Sequence, residues 1–193
     1  MKFISHIKLA AFAVSKAMAL GMDQFSAIAY IFGSVQPDIK ITSYFRGIEP
    51  GEERRGHSYR TAIRRIEELE SLIASSGARG GLVYSYRWGK VSHYAADAFT
   101  YAHNIDVFHG TIGEHRDYEK LLHKGLCKRL GEDSWSFFYD LGTVSGAVRR
   151  MHGRYIDGER SVKADLDAII PLVLSISFAF SSTWGMEAAK GAV

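Results

Sequence analysis

Histidines and carboxylates recur in this chain at spacings that suit a bound metal ion. His93 and Asp97 form an H-x-x-x-D pattern, and His115 and Glu119 repeat it as H-x-x-x-E. On a helix, residues four apart project from the same side. Two such pairs on consecutive helices of a bundle are a natural way to build an interior metal site. His103 lies ten residues beyond His93, which is about 280° around a continuous helix at about 100° per residue. One helix could therefore face two neighbouring ions, with Asp97 between its two histidines. Nitrogen and carboxylate donors without thiolates suit zinc, while leaving other divalent ions open. A single His–carboxylate pair is common on helix surfaces and says little. The information is in the ensemble.

Positioning these residues falls to helices. Ile7, Ala10, Ala11, Val14 and Met18 have helical spacing within a first segment of about 5–20, which Gly21 ends. Asp23 can cap a second, strongly apolar helix to about Val35, and Pro37 is expected to stop it, leaving Asp38 on a loop. Residues 39–56 read as irregular. A third helix of about 58–75 carries alternating charges on a solvated face, and 76–81 is a turn. Further helices are expected over about 82–102 and 113–130, then from Asp133-Ser134 to about Tyr155, and from Ser161 to about Ser182. No strand pattern interrupts them. The prediction is an all-α, single-domain bundle of about seven helices spanning 1–193.

Composition narrows the function classes. Of 193 residues, 47% are hydrophobic and 23% charged, which fits one globular domain with a proper core. A formal charge of +3 is too mild for a dedicated nucleic-acid binder, so no nucleic-acid partner is expected. The single cysteine, Cys127, excludes an intrachain disulfide and reads as a core residue. The apolar N-terminal stretch is interrupted by Lys8 and Lys16 and lacks a small-x-small cleavage site. It reads as a helix of the working protein, with a cytoplasmic location expected and secretion the alternative. Ala168–Met186 carries no charge but contains Pro171, Gly185 and several hydroxyls, so a buried helix is expected there and no transmembrane segment.

The ordered set of site residues resembles the zinc-dependent phospholipase C family and its relatives, the fungal zinc nucleases. Ser5-His6 matches the family's N-terminal histidine, and Gly33-Ser34-Val35-Gln36-Pro37-Asp38 matches its G-x-x-x-P-D stretch. His57 in Gly56-His57-Ser58 matches the single histidine that follows. His93, Asp97 and His103 match H-x-x-x-D-x-x-x-x-x-H, and His115 and Glu119 complete the series in family order. The resemblance implies an interior multi-zinc site. One zinc would be held by Asp38, His57, His93 and Asp97, and a second by His103, His115 and Glu119. Asp97 would bridge to a third that also takes His6. Secreted relatives complete that third site with the amine and carbonyl of an N-terminal tryptophan, whereas position 1 here is Met. Two zinc ions are therefore expected, with the third dependent on what replaces the tryptophan.

The resemblance implies a phosphodiester hydrolase in which metal-activated water attacks the phosphorus of a phospholipid at a membrane surface. Filled with divalent ions, such a site is positive and favours an anionic phosphodiester. Asp38 is the candidate to orient or deprotonate the water, besides being a ligand. A zinc nuclease-like phosphodiesterase and a metal-binding protein without turnover are the alternatives. Of the other histidines, His123 continues the His115–Glu119 stripe, while His109 and His152 read as surface or capping residues. Tyr59, Tyr86, Tyr94 and Tyr101 read as core or near-site residues, and Arg116 as a solvated charge.

Overall fold

The computed structural model describes residues 1–39, 58–77, 80–132 and 141–190, the side chains of the last helix only as far as residue 179. The protein is an all-α single domain, and seven α-helices lie among the described residues: α1 (Phe3–Met18), α2 (Gln24–Ile39), α3 (Tyr59–Ser75), α4 (Leu82–Ala98), α5 (Ile112–Arg129), α6 (Val144–Ile156) and α7 (Val162–Lys190). A short 3-10 turn, Tyr101–His103, joins α4 to the loop before α5.

Helix α4 is the axis of the bundle, packed by α1, α2, α3, α6 and α7. Its sequence explains this. Every residue from Val91 to Thr100 is buried, and Ser92, Ala95, Ala96 and Ala98 are small enough to let several neighbours approach. The closest approach is to α2 and uses two glycines reciprocally. A Cβ on Gly33 would lie 2.1 Å from the Tyr86 carbonyl oxygen, and one on Gly89 would lie 2.0 Å from that of Tyr30. Tyr30, fully buried, spans the same seam and shares a hydrogen bond of 2.5 Å with Ser92. The uncharged stretch of α7 is a core helix as far as its side chains are described. Ile169, Ile170, Leu172, Val173, Leu174 and Ile176 are all buried, each contributing about 1.5–3 kcal/mol. Among the described residues no helix is long and apolar enough to cross a membrane.

Four expectations need correction. Helix α2 runs through Pro37 to Ile39, so Asp38 sits in its last turn and not on a loop. Proline's fixed φ suits a helix, and so close to the end its missing N–H forfeits a single bond. Helix α4 stops at Ala98, so His103 is carried by the 3-10 turn and not by the same helix. The Asn104 amide donates to the carbonyls of Ala98 and Thr100 at 3.2 and 2.9 Å, satisfying acceptors that the helix end leaves open. Helix α6 begins only at Val144, with Thr143 as its cap. The Glu70 carboxylate reaches across from α3 to accept from Val144 N and Ser145 N at 2.6 and 3.2 Å, a distant partner for a positive helix end. The cap expected at Asp133-Ser134 lies outside the described residues. Finally, His152 is buried and not a surface residue. Tyr59 stacks on it with ring centroids 3.4 Å apart, and its Nε2–H donates to Asn104 Oδ1 at 2.7 Å.

Candidate metal centre

The helix register delivers the site. Helix α1 brings His6, the end of α2 brings Asp38, α4 brings His93 and Asp97, the 3-10 turn brings His103, and α5 brings His115 and Glu119. Helix α5 is fixed at its start by a capping box in which the Thr111 and Glu114 side chains each accept from the other's backbone N–H. That box sets the register of His115 and Glu119, about one and two turns beyond Thr111.

Two donor groups result. In the first, ligand atoms of His6, His93 and Asp97 all lie within 4.8 Å of one another. His6 Nε2 is 3.3 Å from Asp97 Oδ1, and His93 Nε2 is 3.2 Å from Asp97 Oδ2. Asp38 closes the other side, its oxygens 4.0 Å from His6 Nε2 and 3.8 Å from His93 Nε2. The two imidazoles stack with centroids 4.0 Å apart. In the second group, His103, His115 and Glu119 likewise offer atoms within 4.8 Å. Glu119 Oε1 is 3.2 Å from His103 Nε2 and 3.6 Å from His115 Nε2. The groups adjoin, because His103 Nδ1 is 3.4 Å from Asp97 Oδ1. Between them stands the Met1 amine, 2.6 Å from Asp97 Oδ1, 3.1 Å from His103 Nε2 and 3.4 Å from Glu119 Oε1. His57 lies outside the described residues.

The electrostatics suit a cation. His6, His93 and Asp97 are 2%, 0% and 1% exposed, so unneutralised charge would be costly here. Burial, with His93 beside it, holds the His6 imidazole well below its usual range. Burial and the Met1 amine push His103 down to about 4. Both are therefore neutral imidazoles near pH 7, the form that binds metal. Burial alone would push the Asp97 carboxyl up, but the amine and the surrounding histidines outweigh it and hold it well below the usual carboxylate range. Burial likewise opposes ionisation of Glu119, yet hydrogen bonds from His103 and His115 draw its pKa down. His93 is raised, because Asp97 and Asp38 outweigh the burial that opposes its charge.

Two details test the fit of a metal. His93 Nδ1–H donates to the Ser34 carbonyl oxygen at 2.8 Å, which fixes the tautomer and turns Nε2 towards the carboxylates. His6 Nε2 and His103 Nδ1 are buried and make no hydrogen bond. Buried polar atoms without partners are uncommon, and an ion would satisfy them. Neutral imidazole nitrogens alternating with carboxylate oxygens are a donor set for zinc. The fit is good.

The other residues singled out in the sequence are not members of these groups. His123 Nδ1 meets Ser5 Oγ at 2.9 Å, His109 and Arg116 are exposed, and Tyr94 packs edge-on against His93. The Ser34 carbonyl was invisible to residue-type reasoning, since any residue supplies one. So was Asp165, a fully buried carboxylate near the start of α7 that reads in the sequence as an ordinary first-turn acid.

A search of curated proteins and a search of solved structures return no match. A family model described as zinc-dependent phospholipase C matches residues 5–162, which includes all eight of the histidines and carboxylates that the motif reading singled out. With most of its length matched and its buried donor groups suited to zinc, this chain belongs to the zinc-dependent phospholipase C family.

Proposed function

We propose that the protein hydrolyses a phosphodiester, a phospholipid being the preferred substrate, with two zinc ions held by the adjoining donor groups. His6, His93 and Asp97, with Asp38, would hold one ion; His103, His115 and Glu119 would hold the other. The observation that carries this reading is the 3.4 Å approach of His103 to Asp97, which sets two donor groups side by side. A pair of ions in such a place suits the two ends of a phosphodiester displacement. When bound, zinc supplies Lewis acidity, polarising phosphoryl oxygens and lowering the pKa of water from 15.7 towards about 7.

The chain's own residues do the rest. The His93–Ser34 hydrogen bond keeps a donor nitrogen aimed inward, so no reorientation is needed during turnover. Asp97, Glu119 and Asp38 give the loaded site a modest positive excess, which attracts the phosphodiester and does not hold the dianionic product irreversibly. Asp38 is more exposed than the buried His6, His93 and Asp97, its side chain at 14%, and it stands at the end of its helix. We assign it the water: its carboxylate orients the attacking molecule and accepts the proton released as oxygen bonds to phosphorus. The bond from phosphorus to the glycerol oxygen breaks in the same displacement, and the departing alkoxide takes up a proton from solvent, leaving diacylglycerol and a phosphorylated headgroup.

The test is elemental analysis of the purified protein followed by assays on phosphatidylcholine vesicles, bis-nitrophenyl phosphate and single-stranded DNA. About two zinc equivalents and turnover of the lipid are expected. Preferential cleavage of DNA would move the function to the nuclease relatives, and two ions with no turnover of any substrate would leave a metal-binding protein.

A further inference from the structure

Away from the ligands, one buried carboxylate ties together both segments that carry the second donor group. Asp165 is fully buried at the start of α7. Its Oδ2 accepts from the Tyr101 backbone N–H at 2.9 Å and from the Tyr118 hydroxyl at 2.9 Å. Its Oδ1 accepts from the Tyr155 hydroxyl at 2.7 Å. Tyr101 opens the 3-10 turn that ends in His103, and Tyr118 directly precedes Glu119 on α5. The rings of Tyr101 and Tyr118 also meet edge to face, with centroids 5.5 Å apart. Tyr155, by contrast, belongs to α6, which carries no proposed ligand.

We propose that Asp165 is a positioning residue for the second metal ion, clamping the His103 turn against α5 so that His103, His115 and Glu119 converge before the ion arrives. The inference rests on the two-ion reading above. A three-residue 3-10 turn has little internal rigidity, and its N-terminal amide would otherwise be free of any helical partner. A charged acceptor makes stronger bonds than a neutral one, and a common oxygen for Tyr101 and Tyr118 locks the two segments to each other. The first group, built from α1, α2 and α4, has no part in this network.

Zinc titration against a competing chelator tests the proposal, with a His115→Ala variant identifying which binding step belongs to the second group. Asp165→Leu, similar in shape but without acceptors, should weaken that step by about 10- to 100-fold, the range that outer-shell support commands, and leave the other step unchanged. Asp165→Asn should restore it, because its oxygen can serve Tyr101 and Tyr118 while its amide donates to the Tyr155 hydroxyl. Tyr118→Phe should weaken the same step, and Tyr155→Phe should lower thermal stability without moving it. These two variants decide the matter if the leucine variant does not fold. Equal effects of the two tyrosine variants on zinc affinity, or unchanged affinity in Asp165→Leu, would overturn the proposal while the two-ion reading stands. A wild-type protein that binds no zinc would overturn that reading itself.

Discussion

The side chain of His93 faces two ways. One nitrogen donates to the backbone of α2, and the other points at two carboxylates. His93→Ala removes a donor atom and also the link that orients the first group. The variant is expected to lose one zinc equivalent, with affinity there falling by more than about 100-fold, beyond what loss of outer-shell support alone produces. Elemental analysis checks this, and full zinc content with unimpaired phosphodiesterase activity would contradict it. His152 supports the site differently, from within the core. Burial pushes its imidazole down to about 4, against an ordinary value of about 6.5. Between those values the unfolded chain binds the extra proton and the folded one does not, so stability rises with pH across the window. The contribution is complete above about pH 6.5 and is lost as the pH falls towards 4. The stability difference between the wild type and His152→Gln, read from urea midpoints, should therefore shrink by on the order of 1–2 kcal/mol from pH 7 to pH 4. A difference independent of pH would rule this out.

At the scale of elements, the seam between α2 and α4 fixes the distance between Asp38 and the His93–Asp97 pair. Gly89→Ala would drive a methyl group into the Tyr30 backbone, where no flexible side chain can move aside. Overpacking of this kind costs about 1–3 kcal/mol, and a rigid backbone neighbour places it at the upper end. Thermal unfolding should show that loss together with weaker zinc binding at the first group, whereas Gly153→Ala, with open space around its position, should show neither. The helices themselves were legible from apolar spacing and from caps such as Asp23 and Ser161, which accept from Ser26 and Ala164 as expected. Local pattern failed at the helix ends. Asn104 and Thr100 end α4 early, Glu70 on α3 serves the start of α6, and Pro37 is absorbed by a helix already near its end. His103 illustrates the same limit. The sequence expected it beside Asp97 by helical rotation, and it lies there because a 3-10 turn folds it back. His152, Asp165 and the Ser34 carbonyl were not legible at all, since their roles exist only once separate helices have docked.

For the molecule as a whole, the site lies where five segments meet: α1, the end of α2, α4, the 3-10 turn and α5. Three acidic side chains converge there within a largely buried volume. In the unfolded chain these donors are scattered from residue 6 to residue 119, so no comparable site exists and ion binding adds directly to folding stability. At free zinc about 1,000 times its dissociation constant, one ion contributes about 4 kcal/mol. For a chain of this size, 1 kcal/mol shifts the melting temperature by about 2–4 °C. Chelation should therefore lower Tm by about 8–16 °C for each ion removed, and re-addition of zinc should restore it. His93→Ala, retaining only the second group, should show about half the wild-type shift. The acid limb follows from the same linkage: His93, held above its ordinary value by Asp97 and Asp38, takes up a proton in competition with the first ion as the pH falls, so the zinc-loaded protein should lose part of its Tm advantage while the chelated protein changes less. Differential scanning calorimetry at pH 7.5 and pH 5 distinguishes the cases. A protein shown to hold two zinc ions, yet melting at the same temperature with and without chelator, would mean that the ions sit at the surface and not at the junction of these five segments.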